Sequence, residues 1–220
     1  MLFAAQRGSL LLSLLATAAC AGQCGALGGL PPERPPLVKG ADGRTYHLVG
    51  RGPYKAFYDR WGRLQRLEYD ANGDGRADQV AHHDGARTPR TIEVDDDYDG
   101  VVDRWEDYDP AGQLVRVGTS RRGRGPDVWT TFGPDGQPAR KEYDEDGDGR
   151  PDRVETLAAG EVAAVEIDQD RDGRADRWQT WRAGRLTAEE LDTDGDGRPD
   201  HRLHYGDDGG VLRLEPIAPR

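Results

Sequence analysis

From residue 41 to residue 214 the apolar positions fall in runs of five to seven residues, separated alternately by small glycine turns and by acidic loops. The clearest example runs Asp176-Arg177-Trp178-Gln179-Thr180-Trp181-Arg182, turns at Ala183-Gly184, and returns from Arg185 to Leu191 before a new acidic stretch opens at Asp192. Short aromatic and aliphatic runs joined by two-residue glycine turns predict β-hairpins. Helices do not fit: only about 15 residues separate one acidic loop from the next, and a glycine turn divides them.

The pattern is periodic. Anchored on the aspartate that closes each loop, it marks Asp78, Asp103, Asp127, Asp152, Asp176 and Asp200, at spacings of 25, 24, 25, 24 and 24. Two positions later stand Val80, Trp105, Trp129, Val154 and Trp178; five positions later stand Tyr108, Phe132, Leu157, Trp181 and Tyr205. One hairpin cannot bury its apolar side alone, so neighbours must stack. The expected fold is therefore all-β, a tandem array of hairpins of 24–25 residues arranged as one extended sheet or a solenoid. Apolar residues do not alternate cleanly within the runs, so no buried face can be assigned. Residues 41–69, with Tyr46, Leu48, Tyr54, Phe57, Tyr58 and Trp61, form an incomplete unit that would cap one end; residues 70–214 hold the repeats and 215–220 a short tail.

Composition supports an array over an ordinary core. Of 220 residues 35% are apolar and 32% charged, and there are 30 glycines and 14 prolines. The net charge of −11 disfavours nucleic acid and anionic membrane surfaces as partners. That charge is concentrated in the loops. Five of them carry an acidic set at positions 1, 3, 5 and 9 with glycine at position 6: Asp70, Asn72, Asp74, Gly75 and Asp78; Asp95, Asp97, Asp99, Gly100 and Asp103; Asp144, Asp146, Asp148, Gly149 and Asp152; Asp168, Asp170, Asp172, Gly173 and Asp176; Asp192, Asp194, Asp196, Gly197 and Asp200. Over nine positions these loops carry −2, −5, −4, −2 and −3, more than the whole chain's net charge, so the remainder is net positive. Alternate carboxylates around a sharp glycine turn suit a hard cation that takes six to eight oxygens, which points to about five Ca²⁺ ions. The third unit, read as Thr119, Arg121, Gly123, Arg124 and Asp127 with Arg122 between, lacks the carboxylates; its arginines are expected to pair with neighbouring loops in place of an ion.

The loops resemble those of thrombospondin type-3 repeats and the EF-hand calcium loop, which share D-x-D-x-D-G, and the resemblance implies calcium ligation by the residues just named. EF-hands also place glutamate at position 12, where this chain has Glu106 and Glu155 in two loops but Ala81, Gln179 and Leu203 in others. Tyr58-Asp59-Arg60-Trp61-Gly62-Arg63-Leu64 and Tyr108-Asp109-Pro110-Ala111-Gly112-Gln113-Leu114 are similar to the Y-D-x-x-G-x-L of bacterial YD repeats, which implies hairpins. Near the N-terminus, Leu10–Ala19 is an apolar stretch too short to span a bilayer as a helix. Ala16-Thr17-Ala18-Ala19-Cys20 resembles the lipobox of bacterial lipoproteins, implying a signal peptide over 1–19, lipidation at Cys20 and a Gly/Pro-rich tether over 20–40. No nucleotide-binding or serine-hydrolase motif is present. The histidine pairs His82-His83 and His201/His204 read as surface residues before they read as a zinc site.

From the sequence alone the chain is expected to be an exported calcium-binding protein of the bacterial envelope, or else secreted or periplasmic. Calcium would serve a structural role in a scaffold, with membrane contact through the N-terminal lipid only. The alternative is a calcium-dependent carbohydrate- or protein-binding module using Trp105, Trp129 and Trp178; hydrolase activity is the least expected, and no enzyme is anticipated. A protein or glycan partner is expected without being identified, and nucleic acid is excluded.

Overall fold

A computed structural model describes residues 35–40, 42–121 and 123–217. The expected signal segment, Cys20 and all but the end of the tether lie outside these residues. Sixteen strands follow one another: β1 (Leu37–Lys39), β2 (Thr45–Arg51), β3 (Tyr54–Tyr58), β4 (Leu64–Tyr69), β5 (Gln79–His82), β6 (Thr91–Val94), β7 (Arg104–Tyr108) and β8 (Leu114–Thr119). They continue as β9 (Val128–Phe132), β10 (Pro138–Tyr143), β11 (Arg153–Ala158), β12 (Glu161–Ile167), β13 (Arg177–Arg182), β14 (Arg185–Leu191), β15 (His201–Tyr205) and β16 (Val211–Pro216). Among the described residues there is no helix. All sixteen strands lie in one open antiparallel sheet in chain order, β2 to β15 each paired with its predecessor and its successor and β1 and β16 at the two margins. The hairpin array is therefore an extended sheet. β1 takes in three residues read from the sequence as tether, pairing Leu37 with His47 and Lys39 with Thr45.

Among the described residues strand contacts run only between consecutive strands, so no second layer of these residues covers either face. This explains why the sequence shows no clean alternation: neither face is a buried one. Most strand residues are half-buried between their flanking neighbours. Fully buried apolar residues gather in the first third, where Tyr46 meets Phe57 edge-to-face at 5.8 Å and Ala81, Ile92 and Val94 pack with Leu67 and Tyr108.

On the face that carries Ala81 and Ile92, polar groups are buried farther along the sheet as well, in the row that also holds Val165. Glu106, Glu155 and Glu189 are buried, each paired with the arginine that follows a closing aspartate: Arg104, Arg153 (2.6 Å) and Arg177 (2.6 Å). A tyrosine hydroxyl donates to each carboxylate, from Tyr108 (2.5 Å), Tyr143 (3.0 Å) and Tyr205 (2.9 Å). Burial pushes the Glu189 carboxyl up, but donors on Gln179, Arg177 and Tyr205 outweigh it and hold it below the usual carboxylate range. Arginine, tyrosine and glutamate thus take over the packing that a thin single layer cannot obtain from apolar residues alone.

On the opposite face one row alternates between residue types. Val80, Trp105, Trp129, Val154, Trp178 and Arg202 stand opposite Glu68, Glu93, Gly118, Glu142, Glu166 and Glu190. The tryptophans are half-buried in this row. Arg116 lies over the Trp129 ring at 3.7 Å from its centroid, and the indole occupies the space above Gly118.

The turns explain the spacing. Ala159-Gly160 and Ala183-Gly184 both have positive φ at the two central positions (51° and 81°; 48° and 72°), as a two-residue type I′ turn requires. The Tyr-Asp segments form longer turns, in which Asp59 Oδ1 accepts from the Trp61 and Arg63 N–H groups, both at 2.9 Å, and Asp109 Oδ1 from the Gln113 N–H at 2.8 Å. Alanine is ill suited to positive φ, where asparagine is accepted. Ala183→Asn should raise the urea midpoint, by about 0.5–1 kcal/mol in stability; an unchanged or lower midpoint would contradict the turn assignment.

Candidate metal site

The loop that joins each hairpin to the next is held by the sheet at both ends. The closing aspartate donates its N–H to the last residue of the preceding strand, as Asp78 does to Tyr69 (2.9 Å) and Asp200 to Leu191 (2.8 Å). The opening residue donates to the carbonyl of the previous closing aspartate: Asp95 to Asp78, Asp144 to Asp127 and Asp168 to Asp152, all at 2.8 Å. Consecutive loops therefore form a column along one side of the sheet.

Within a loop the aspartates fold the backbone around themselves. Asp70 Oδ1 accepts from Gly73 (2.6 Å) and its Oδ2 from Gly75 (2.9 Å); Asp144 repeats this with Gly147 and Gly149, and Asp192 with Gly195 and Gly197. The closing carboxylate reaches back to positions 2 and 3, so that Asp152 Oδ2 accepts from Glu145 (2.6 Å) and Asp146 (3.3 Å). Position 5 accepts from position 7, as Asp148 does from Arg150 at 2.8 Å. Desolvation opposes ionisation of Asp192, yet the Gly197 and Gly195 N–H groups prevail and keep its pKa low. The Thr193 hydroxyl does the same for Asp200, whose Oδ1 also contacts His201 Nδ1.

Carboxylate oxygens converge in four loops. One oxygen from each of Asp95, Asp97 and Asp99 lies within 4.8 Å of the others, and so do those of Asp144, Asp146 and Asp152; of Asp168, Asp170 and Asp176; and of Asp192, Asp194 and Asp200. Asp103, Asp148, Asp172 and Asp196 stand outside these triplets. The first loop, Asp70, Asn72, Asp74 and Asp78, forms no such triplet of carboxylates; an amide takes position 3 there. Oxygens bound to a single ion at about 2.4 Å can be at most about 4.8 Å apart, so each triplet is compact enough to share one calcium.

Glu106 and Glu155, at the position an EF-hand uses for its twelfth ligand, lie in β7 and β11 and are held by Arg104 and Arg153. Of the histidines, His82 faces Glu93 (3.7 Å), His83 is buried, and His204 pairs with Glu215 (3.0 Å).

The third loop departs from the register read off the sequence. Thr119 is the last residue of β8, and Ser120 takes position 1: its N–H meets the Asp103 carbonyl and its hydroxyl accepts from Gly123 (3.0 Å). The loop is one residue shorter than the others, which accounts for its spacing of 24. The later spacings of 24 come instead from the tight Ala159-Gly160 and Ala183-Gly184 turns. Arg122 lies outside the described residues. A cross-loop ion pair comes from Arg171 of the fifth loop, which reaches Asp152 (3.5 Å) and Asp146 (3.7 Å) of the fourth.

Two determinants escaped the sequence reading. Position 4 has positive φ in every acidic loop: Gly73, Gly147 and Gly195 occupy it in three, but Tyr98 (67°) and Arg171 (65°) in the others. The recurrence of glycine there was the available signal. Position 6 also has a second reason to be glycine: the position-7 side chain of the preceding loop lies against it. Arg76 covers Gly100, Arg150 covers Gly173 and Arg174 covers Gly197, so that a Cβ on Gly173 would meet Arg150 at 2.6 Å.

No family model and no curated protein matches the chain. Among solved structures it is similar to a complex of GtfA/B bound to UDP and GlcNAc (15% identity, 69% of this chain and 29% of that one, TM-score 0.32). It is also similar to TarM (11%, 57% and 19%, TM-score 0.27) and to accessory secretory protein 1, 2 and 3 of Streptococcus pneumoniae (17%, 48% and 18%, TM-score 0.25). The chain spans less than a third of the length of these proteins. Two expectations are corrected on this finding: the structural calcium-binding role, with its adhesin-like alternative, and the absence of enzymatic activity. At TM-scores this low the likenesses bring no activity or ligand to this chain.

The positive φ at position 4 yields a direct test. Tyr98→Gly should stabilise the protein by about 1 kcal/mol through relief of backbone strain, read as a higher urea midpoint in chelator; a loss of stability would show that the Tyr98 side chain contributes more than its backbone costs.

Proposed function

We propose that the chain binds divalent cations at its aspartate loops and that calcium is the ion these loops suit. The observation that carries this reading is the fourfold convergence of three carboxylate oxygens in equivalent loops of one array. The ligands are hard oxygens without a thiolate, and no histidine belongs to a triplet, which favours calcium over zinc or copper. Asp95, Asp144, Asp168 and Asp192 at position 1, the residues at positions 3 and 5, and the closing aspartates would supply carboxylates. The turn at the position-6 glycine brings the position-7 carbonyl toward the same centre. In the first loop Asp70, Asp74 and Asp78 would act with the Asn72 amide oxygen as a less charged set.

Calorimetric titration of the full chain with calcium tests this directly. Uptake of four to five ions is expected, with the melting temperature rising as calcium is added, because ligand bound to the native state alone stabilises it. Changing Asp97, Asp146, Asp170 and Asp194 together to Ala, which offers no oxygen ligand, should remove most of the uptake while leaving the far-ultraviolet circular dichroism of the sheet in place. Absence of uptake at millimolar calcium would overturn the reading.

Arg171 makes the fourth loop distinct. Its guanidinium already compensates Asp146 and Asp152, so an ion entering that loop must displace it. Arg171→Gln should therefore tighten calcium binding at the fourth loop by about three- to tenfold, a gain of about 0.6–1.4 kcal/mol, and leave the steps of loops other than the fourth and fifth within error.

A further inference from the structure

β16 has a strand on one side only among the described residues. In the second strand of each hairpin, Leu67, Ile92, Val117, Lys141, Val165, Glu189 and Leu214 occupy the same row. Where strands flank both sides, Ile92, Val165 and Glu189 are 4%, 1% and 3% exposed; Leu214 is 60% exposed. Leu212 and Val211 beside it are exposed as well. The Ile217 N–H donates back to the Asp200 carbonyl at 2.7 Å, so by strand alternation the main-chain groups of Pro216 and Leu214 face outward. Proline suits that outward position because it has no N–H to leave unpaired. The outer side of β16 thus presents both main-chain groups of Leu214 and the Pro216 carbonyl.

We propose that β16 pairs antiparallel with β16 of a second copy of this chain, about a two-fold axis through Leu214. The segment around Leu214 is self-complementary in that one register. Leu214 stands opposite the partner subunit's Leu214 and exchanges two main-chain hydrogen bonds with it. Arg213 stands opposite Glu215 of the partner subunit, and Glu215 opposite the partner's Arg213. Within one chain Arg213 and Glu215 already pair, and Glu215 also holds His204 Nε2 at 3.0 Å, so the axis closes a ring of two arginines and two glutamates. Moving the axis to Arg213 would set arginine against arginine, which fixes the register by repulsion. The opposite edge, β1, offers three residues preceded by Pro35 and Pro36, too little to pair in this way. A two-fold pairing uses up the edge it employs and stops at two copies.

A single pair of edge strands makes a small interface, so the association is expected to be weak, with a dissociation constant of about 10 µM to 1 mM. Sedimentation equilibrium of the full chain, in chelator to remove metal bridging between acidic loops, should show monomer at the lowest concentrations and dimer at the highest. Arg213→Glu and Glu215→Arg each place four like charges around the axis and should each raise the dissociation constant at least about tenfold. An equimolar mixture of the two variants sets every Glu against an Arg and should restore association to the wild-type level or better. Circular dichroism of each variant confirms that the sheet is retained. A wild-type chain that stays monomeric throughout, single variants that associate as well as wild type, or a mixture no tighter than either variant alone would each overturn the proposal.

Discussion

The main-chain ladder between consecutive strands is the interaction on which the rest of this molecule depends. With no second layer among the described residues, burial of apolar surface is thin, and each inner strand is held by the two beside it. Stability is then close to a sum of nearest-neighbour terms, as in other quasi-one-dimensional proteins. The loops inherit their order from the ladder: an aspartate can open a loop at a fixed place because its N–H is tied to the preceding closing aspartate. Side chains adapt to the same constraint, with buried arginine–glutamate–tyrosine groups standing where a two-layer fold would have aliphatic residues.

Electrostatics is the counterweight. Stacking acidic loops at the spacing of alternate strands gathers like charge that only local compensation can tolerate. Part of that compensation is built in. Backbone N–H groups converge on each carboxylate, a position-7 arginine projects over the glycine of the following loop in three cases, and Arg171 reaches back into the fourth loop. The serine-opened third loop interrupts the acidic column near its middle, so a loop without the full carboxylate set separates two acidic stretches.

Much of this was legible in the residues. The closing aspartates and the glycine turns mark every hairpin from Gln79 onward, because a turn with positive φ and a loop opened by aspartate have few alternative sequences. The faces were not legible, since alternation reports a buried side and this sheet has none. The third loop was misregistered because a spacing one residue short can be absorbed either in the loop or in the hairpin; the hydrogen bonds of Ser120, from its N–H to the Asp103 carbonyl and from Gly123 to its hydroxyl, separate the two. The place of Arg171 against Asp146 and Asp152 could not be read at all, because it depends on loops 24 residues apart being side by side. The use made of the aspartate loops was not legible either, since aspartates specify a ligand chemistry and are silent on the use made of it.

Sequential strand order has a mechanical consequence. The two ends of the described chain lie at opposite margins of the sheet, about 70 Å apart for sixteen strands at the usual inter-strand distance. Tension applied between them acts along the hydrogen bonds, in the opening direction of a zipper, and loads one pair of strands at a time. Under pull the molecule would therefore yield in small successive steps at low force, each releasing one hairpin and its loop, and would refold from whichever hairpins remain closed.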